Sequence, residues 1–181
     1  MTTRTGKQIV FTTDLNWIGG DMGIVSSQSI KQSIHVTTAP EFGGEEGEWS
    51  PEYLFLSSLT SCFMSTYMVF VKKLKFEISH FECTATGQAE VVDGKYKFTY
   101  VHLYPKILIA CESEMEQAQL ALEKTQKYCL ISNSMNAVII YHPEVMIARP
   151  APESTETSGG TLHKSLPGMS KQADKKSKLI L

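Results

Sequence analysis

The fold of this chain is decided by residues 50–70, which read SPEYLFLSSLTSCFMSTYMVF. The stretch begins as a helix should, because Ser50 can cap the first turn, Pro51 suits the first helical position and Glu52 places a carboxylate at the positive end of the helix dipole. No charged residue follows in the stretch. A helix that is apolar on most faces is typical of a buried core helix. We therefore expect a central helix with Cys62 in its middle.

The same stretch is also long enough to be considered as a membrane span. Its many serine and threonine side chains, and the polar composition of the rest of the chain, favour a core helix instead. The first residues contain no apolar run after their charged start, so we predict no signal peptide. The sequence thus predicts a cytoplasmic protein without membrane association.

Composition and charge limit the classes of function that the chain can have. It has 181 residues, enough for one domain with a full hydrophobic core. Its net charge is -2 and its pI about 6.2, so it lacks the basic surface that binds nucleic acid. From Arg149 onward, large apolar side chains become too scarce to order the chain. We predict a domain over residues 1–148 and a disordered tail over residues 149–181.

The remaining pattern predicts an alternation of strands and helices. The predicted elements are strands at 7–17, 24–29 and 31–37, the central helix, strands at 77–91 and 96–109, a helix at 114–128 and a strand at 137–141. Asp93-Gly94 is a strong signal for a hairpin turn between the two long strands, and Ser113 can cap the second helix. The order β-β-β-α-β-β-α-β indicates an α+β fold in which antiparallel sheets pack against a long central helix.

The candidate nucleophiles are the cysteines: Cys62, Cys83, Cys111 and Cys129. Their spacing fits no zinc-binding template, and a reducing cytosol disfavours structural disulfides. A free cysteine often serves as a small buried hydrophobe. Cys83 keeps this interpretation because it alternates with apolar residues on a strand, and Cys111 keeps it because nearby carboxylates disfavour a thiolate.

The histidines raise the alternative of a metal-binding protein. Such a site would use some of four candidates: His35, His80, His102 and His142. Their scatter along the chain matches no known ligand spacing, so isolated structural or surface histidines are the simpler interpretation. We predict neither a bound metal nor a cofactor.

The sequence around Cys62 and Cys129 resembles the OsmC/Ohr family of thiol-dependent proteins that handle hydroperoxides. The segments that carry the resemblance are Gly43-Gly44, Ser50 to Phe55, Ser61 to Phe63, and Lys127 to Asn133. The family pattern is a Pro-Glu-x-Leu helix start, a cysteine ten residues after the glutamate, and a second cysteine in a Cys-Pro-x-Ser-like turn. Cys62 and Cys129 occupy these two places, and the likeness spans residues 8 to 147.

The resemblance implies an intertwined homodimer, with sheets wrapped around paired central helices and active sites at the subunit interface. It implies that Cys62 attacks the peroxide as a thiolate and that Cys129 then forms a disulfide with it, which an external dithiol or a lipoylated protein reduces. Apolar surroundings would favour an organic hydroperoxide over hydrogen peroxide. In this scheme Glu52 is the third site residue, which orients the reacting groups.

The spacing of Glu52 and Cys62 constrains how they can cooperate. Ten residues of one helix span about 15 Å. If both act in one site, Glu52 must therefore come from the other subunit; otherwise it only stabilises the helix start.

Two positions depart from the family pattern. Peroxidase members carry an arginine in the loop after the first strand, whereas this chain has no arginine between Ile18 and Gly23 and places Asp21 there. Leu130 replaces the proline that follows the second cysteine. Without a cation, apolar surroundings raise the pKa of a thiol. The alternative function is thus a non-catalytic OsmC-like dimer that binds a small apolar ligand or senses redox state.

Overall fold

The computed structural model describes residue 6 and residues 8–148 of the chain. Its helices and strands are β1 (Asp14–Gly19), β2 (Met22–Ser26), β3 (Ile34–Val36), α1 (Pro51–Leu74), β4 (Ile78–Val92), β5 (Lys95–Ile109), α2 (Met115–Tyr128), β6 (Val138–Tyr141) and β7 (Glu144–Ile147). The predicted α+β class is confirmed. The predicted tail at 149–181 lies outside the described residues.

The strands form two sheets, and the larger sheet is mixed. β1, β2 and β3 make an antiparallel meander, and β4 and β5 make the long antiparallel hairpin that the sequence predicts. β6 and β7 pair with β5 in parallel, so the expectation of purely antiparallel sheets is wrong for this edge. The reason is that α2 connects β5 to β6 as a crossover helix, which returns the chain to the end of the sheet where β5 began, so that β6 runs in the same direction as β5.

The last strand is interrupted rather than ended at His142-Pro143. The backbone N–H of His142 still donates to the carbonyl of Leu103, at 2.8 Å, but Pro143 has no N–H to continue the ladder. Pairing resumes at Glu144 as β7, a strand that the sequence did not predict.

The first strand is shorter than the predicted 7–17 and begins at Asp14. Asp14 pairs with Ser26, where β2 ends, so the residues before Asp14 have no partner strand within the described chain. Composition favoured a strand there, but pairing decides where a strand forms.

The start of α1 is built as predicted. Ser50 is buried, and its Oγ accepts a hydrogen bond from the backbone N–H of Tyr53 at 3.5 Å, while Pro51 begins the helix. At the other end, Lys75 adopts a left-handed conformation with φ of 57° and stops the helix.

One face of α1 forms the centre of the core. The buried side chains of this face contact the inner face of β5 and one stripe of α2; they are Leu59, Phe63, Tyr67 and Phe70. The Tyr67 hydroxyl also donates to the backbone carbonyl of Ala118 at 3.4 Å, which ties α1 to α2. By length and composition alone α1 also passes as a membrane span, but a core helix passes the same test.

The opposite face of α1 is exposed in the single chain, which differs from the expectation of a helix buried nearly all round. The exposed side chains of this face include Ser61, Met64, Ser65 and Val69. The apolar members of this face have no cover within the described chain.

Candidate functional site

Cys62 and Cys129 come together, although 67 positions separate them in the sequence. Cys62 lies in the middle of α1 and is half-buried, whereas Cys129 directly follows α2 and is fully buried. The two thiols lie close enough to interact, since the Cys62 thiol is one of the groups that raise the pKa of Cys129. The packing of α2 against α1 thus brings together the two cysteines that the sequence singled out.

Burial is the main reason why the pKa of Cys129 lies above its ordinary value. The nearby backbone N–H and hydroxyl of Ser132 act in the opposite direction and lower the pKa of Cys129, because polar hydrogens close to the sulfur favour the thiolate. The Ser132 hydroxyl also lies 3.0 Å from the Cys129 carbonyl, to which it donates. Ser132 begins a 3₁₀ turn, Ser132–Ser134, and this turn holds it over the cysteine.

Tyr141, the last residue of β6, is the fourth member of this cluster. Burial raises the pKa of its phenol above the ordinary value, the nearby Ser132 hydroxyl acts in the opposite direction, and the charge of the Cys129 thiolate raises the pKa further. Its ring also packs on Phe63 of α1, with centroids 5.7 Å apart. The sequence alone did not indicate a role for Ser132 or Tyr141, although Ser132 stands three residues after Cys129 in the turn that resembles the family motif.

Glu52 lies elsewhere in the chain. Its Oε2 is buried and has no hydrogen-bond partner among the described residues. The side chain borders a cavity of about 350 Å³ that is walled by Phe42, Tyr96 and Phe98, and neither Cys62 nor Cys129 lines it. Within one chain the structure therefore does not bring Glu52 to the thiol pair, as the helix spacing predicts.

The described residues place no basic side chain among the groups that shift the pKa of Cys129. Lys72 and Lys73, the basic residues in the last turn of α1, stand ten or more residues after Cys62, about 15 Å along the helix. The Lys73 ammonium lies over the ring of Phe70, 5.6 Å from its centroid. Neither lysine therefore replaces the missing arginine within one chain.

The other two cysteines lie outside this pair. Burial raises the pKa of Cys83 on β4 to about 12, so its thiol stays protonated at neutral pH. Cys111 is exposed, and its Sγ lies 3.0 Å from the hydroxyl oxygen of Ser113. Neither thiol is among the groups that shift the pKa of Cys129.

Comparison with known proteins decides the family. The model of the OsmC-like protein family matches residues 43–142, which is more than half of the chain and contains both cysteines of the pair. The chain belongs to the OsmC-like family. The predicted resemblance is therefore confirmed, while a comparison with curated protein sequences found no significant match.

Solved structures share the fold of this OsmC-like chain at low identity. An OsmC-like protein of unknown function from Vibrio cholerae has a TM-score of 0.69 and 17% identity, over 75% of this chain and 99% of that one. An organic hydroperoxide resistance protein from Elizabethkingia anophelis has a TM-score of 0.62 and 24% identity, over 78% and 100%. An organic hydroperoxide resistance protein OsmC from Legionella pneumophila has a TM-score of 0.58 and 21% identity, over 77% and 99%. At these identities the likeness establishes the OsmC-like fold.

Proposed function

We propose that this OsmC-like protein is a thiol-dependent organic hydroperoxide reductase. The Cys62 thiolate attacks the outer oxygen of the peroxide, the O–O bond breaks, and the alcohol leaves after taking a proton. The Cys129 sulfur then attacks the Cys62 sulfenic acid, which releases water and forms a disulfide. An external dithiol, free or on a lipoylated protein, reduces the disulfide, and no bound cofactor is required.

The observation that carries this proposal is that the Cys62 and Cys129 side chains lie next to each other. Cys62 is the less buried of the pair, which suits the residue that must meet the substrate, and buried Cys129 suits the residue that meets only Cys62. Two structural neighbours are described as organic hydroperoxide resistance proteins, which supports the same class of substrate.

The proposal includes a homodimer in which Glu52 acts across the subunit interface. A buried carboxylate oxygen without a hydrogen-bond partner is costly, so the orphaned Oε2 of Glu52 favours a donor from a second copy of the chain. The exposed apolar face of α1 favours the same arrangement. We place this dimer in the cytoplasm, without nucleic acid or membrane as a partner.

The test uses the purified full chain with cumene hydroperoxide and dithiothreitol. We expect the wild-type protein to consume the peroxide, Cys62→Ser to fall to the rate of the buffer, and Cys111→Ser, which removes an exposed thiol outside the pair, to keep the wild-type rate. A Cys62→Ser variant as active as wild type would refute the mechanism.

Peptide mass spectrometry tests the resolving step separately. Mild oxidation of the wild-type protein is expected to give a Cys62–Cys129 disulfide, and oxidation of Cys129→Ser to leave a Cys62 sulfenic acid that dimedone traps. If Cys62 reacts with alkylating reagents but never pairs with Cys129, the resolving role is wrong.

One observation favours a second function, a thiol redox sensor or a carrier of a small apolar ligand. Among the described residues no cation is one of the groups that shift the pKa of Cys129, and thiol reactivity depends on stabilisation of the thiolate. A Cys62 that reacts with iodoacetamide no faster than free cysteine, in a protein that retains an apolar ligand on purification, would favour this alternative. Rapid reaction would favour the reductase.

A further inference from the structure

The cavity of about 350 Å³ beside Glu52 combines acidic side chains with aromatic rings. Its two charged side chains are Glu41 and Glu52, and within the described chain no basic side chain lines it. Oε2 of Glu52 is buried and has no hydrogen-bond partner among the described residues. A carboxylate oxygen in that position carries a free-energy cost that a bound donor would remove. The cavity therefore lacks both a hydrogen-bond donor and a positive charge.

Two of the aromatic walls have ring surface available for a ligand. The rings of Phe42 and Tyr96 meet edge to face, with centroids 5.3 Å apart and an angle of 75° between their planes. Both side chains are exposed, so other parts of the protein leave much of each ring uncovered. The face of an aromatic ring attracts a cation that lies within about 6 Å of its centroid, because the face is the negative end of the ring quadrupole.

The third aromatic wall, Phe98, is held in place by its neighbours. Its ring stacks on Phe55, with centroids 5.0 Å apart and planes 11° from parallel. It also packs against the backbone of Gly87, where a Cβ atom would lie only 2.6 Å from Cε1 of the ring. The absence of a side chain at position 87 therefore lets Phe98 lie against β4, which fixes this side of the cavity.

We propose that this cavity binds a primary alkylammonium cation. The ammonium group donates to the Glu52 carboxylate, and the rings of Phe42 and Tyr96 attract its positive charge. Rotation about the last bond of a glutamate side chain is soft, so a small turn of the carboxylate presents the buried oxygen to the ligand. The alkyl stem packs on the apolar lining of the cavity, which includes Ala39 and Leu56.

The charge of the site favours a cation over an anion. Glu52 lies in the first turn of α1, where the helix dipole contributes about half an elementary positive charge and by itself favours an anion. Glu41 and Glu52 are both carboxylates at neutral pH, and their two negative charges outweigh that contribution. A neutral alcohol could satisfy the orphaned oxygen but would gain nothing from the charges or the ring faces.

This cation site is compatible with the proposed dimer and independent of the proposed redox activity. A carboxylate has about four acceptor positions on its two oxygens. The ammonium group and a donor from a second copy of the chain can therefore share Glu52. Binding is measured without peroxide, so its outcome and that of the reductase assay are separate.

Titration of the ¹⁵N-labelled full chain with n-butylammonium, followed by amide chemical shifts, tests the site. The amine is protonated at pH 7 because its pKa is close to that of lysine, about 10.4. We expect saturable shifts centred on the residues that line the cavity. We also expect at least tenfold weaker binding of butan-1-ol, a neutral molecule of the same length that can still donate a hydrogen bond.

Matched variants assign the binding to particular side chains. Glu52→Gln should weaken n-butylammonium binding at least fivefold, and Tyr96→Leu at least threefold. Glu45→Gln removes the same charge from an exposed loop position, and Tyr100→Leu removes the same ring from another exposed position of β5. Neither Glu45 nor Tyr100 lines the cavity, so both controls should bind like wild type.

Three results would overturn the proposal, and the same spectra show whether each variant is folded. The first is equal affinity for n-butylammonium and butan-1-ol, which would show a cavity without selectivity for charge. The second is unchanged affinity in folded Glu52→Gln and Tyr96→Leu. The third is the absence of shifts at the cavity of the wild-type protein, as expected if a second copy of the chain fills it.

Discussion

At the scale of single residues, Glu114 shows how one side chain can join distant segments. Its Oε1 accepts from the backbone N–H of Glu77, where β4 is about to begin, at 3.1 Å. Its Oε2 accepts from the backbone N–H of Ala110, just after β5, at 3.2 Å. These hydrogen bonds, the one from Glu77 first, hold the pKa of Glu114 below its ordinary value.

This lowered pKa predicts an acid-dependent loss of stability. Because the folded pKa is below the unfolded one, the stabilisation is complete above the unfolded pKa and is lost as the pH falls through the folded pKa. Glu114→Gln keeps only one acceptor oxygen, so we expect a lower urea midpoint at pH 7 and a shallower decline of stability towards acid pH. Urea unfolding between pH 3 and pH 7 measures both.

The control for this prediction is Glu116→Gln, two residues later on the exposed surface of α2. It removes the same charge at nearly the same distance from the helix start. If the two variants lose equal stability with equal pH dependence, the effect belongs to the helix dipole and not to the two hydrogen bonds of Glu114.

The candidate site was predictable from sequence only where local pattern sufficed. Cys62 and Cys129 stand in short motifs, and the rise of a helix was enough to separate Glu52 from Cys62. Ser132 and Tyr141 acquire their roles from the fold, since a 3₁₀ turn and the end of a parallel strand bring them to Cys129. Neither contact leaves a periodic signal in the sequence.

At the scale of elements, α2 shows how periodicity translates into packing. Its buried positions recur at helical spacing and are Ala118, Ala121, Leu122 and Thr125. The stripe faces α1, so α2 covers the side of the core helix from which Cys129 approaches Cys62.

Two leucines of α2 provide a matched test of this packing. Leu122 is 5% exposed and Leu120 is 38% exposed, two residues away in the same helix. Leu122→Ala should lower the free energy of unfolding by about 2–5 kcal/mol because it leaves a cavity. Leu120→Ala should cost about 0.5 kcal/mol or less because its site is partly in water. Chemical denaturation measures both, and equal losses would contradict the assigned orientation of α2.

Helices and the long hairpin were predictable because their signals are local. The turn at Asp93 and Gly94 takes the positive φ values, 52° and 72°, that its sequence favours. The start of β1 and the existence of β7 depend instead on which distant backbone offers a partner. Pro143 is typical of a strand end because it has no N–H to donate. However, β5 extends beyond this point, and the chain pairs with it again from Glu144 onward.

At the scale of the whole molecule, two surfaces expose large apolar side chains. The β1–β3 sheet exposes Leu15 and Trp17, and the outward face of α1 exposes Met64 and Val69. Contiguous exposed apolar surface marks an interaction site. Cys62 lies at the border of the same α1 face, whereas Glu52 lies at the helical position of the buried residues Leu59 and Phe70. A second copy of the chain that packs on this face would cover apolar surface and approach the thiol site together.

Two methionines test that dimer. Light scattering should give the wild-type protein a mass twice that of the 20.2 kDa chain. Met64 on α1 is 41% exposed and Met146 on β7 is 43% exposed, so Met64→Glu and Met146→Glu introduce the same charge at equally exposed sites. Burial of an unpaired carboxylate costs several kcal/mol, so Met64→Glu should weaken dimerisation at least tenfold, while Met146→Glu remains dimeric. A monomeric wild type, or equal dissociation of both variants, would show that α1 is not the dimer interface, and Glu52 could not then act on Cys62 of another chain.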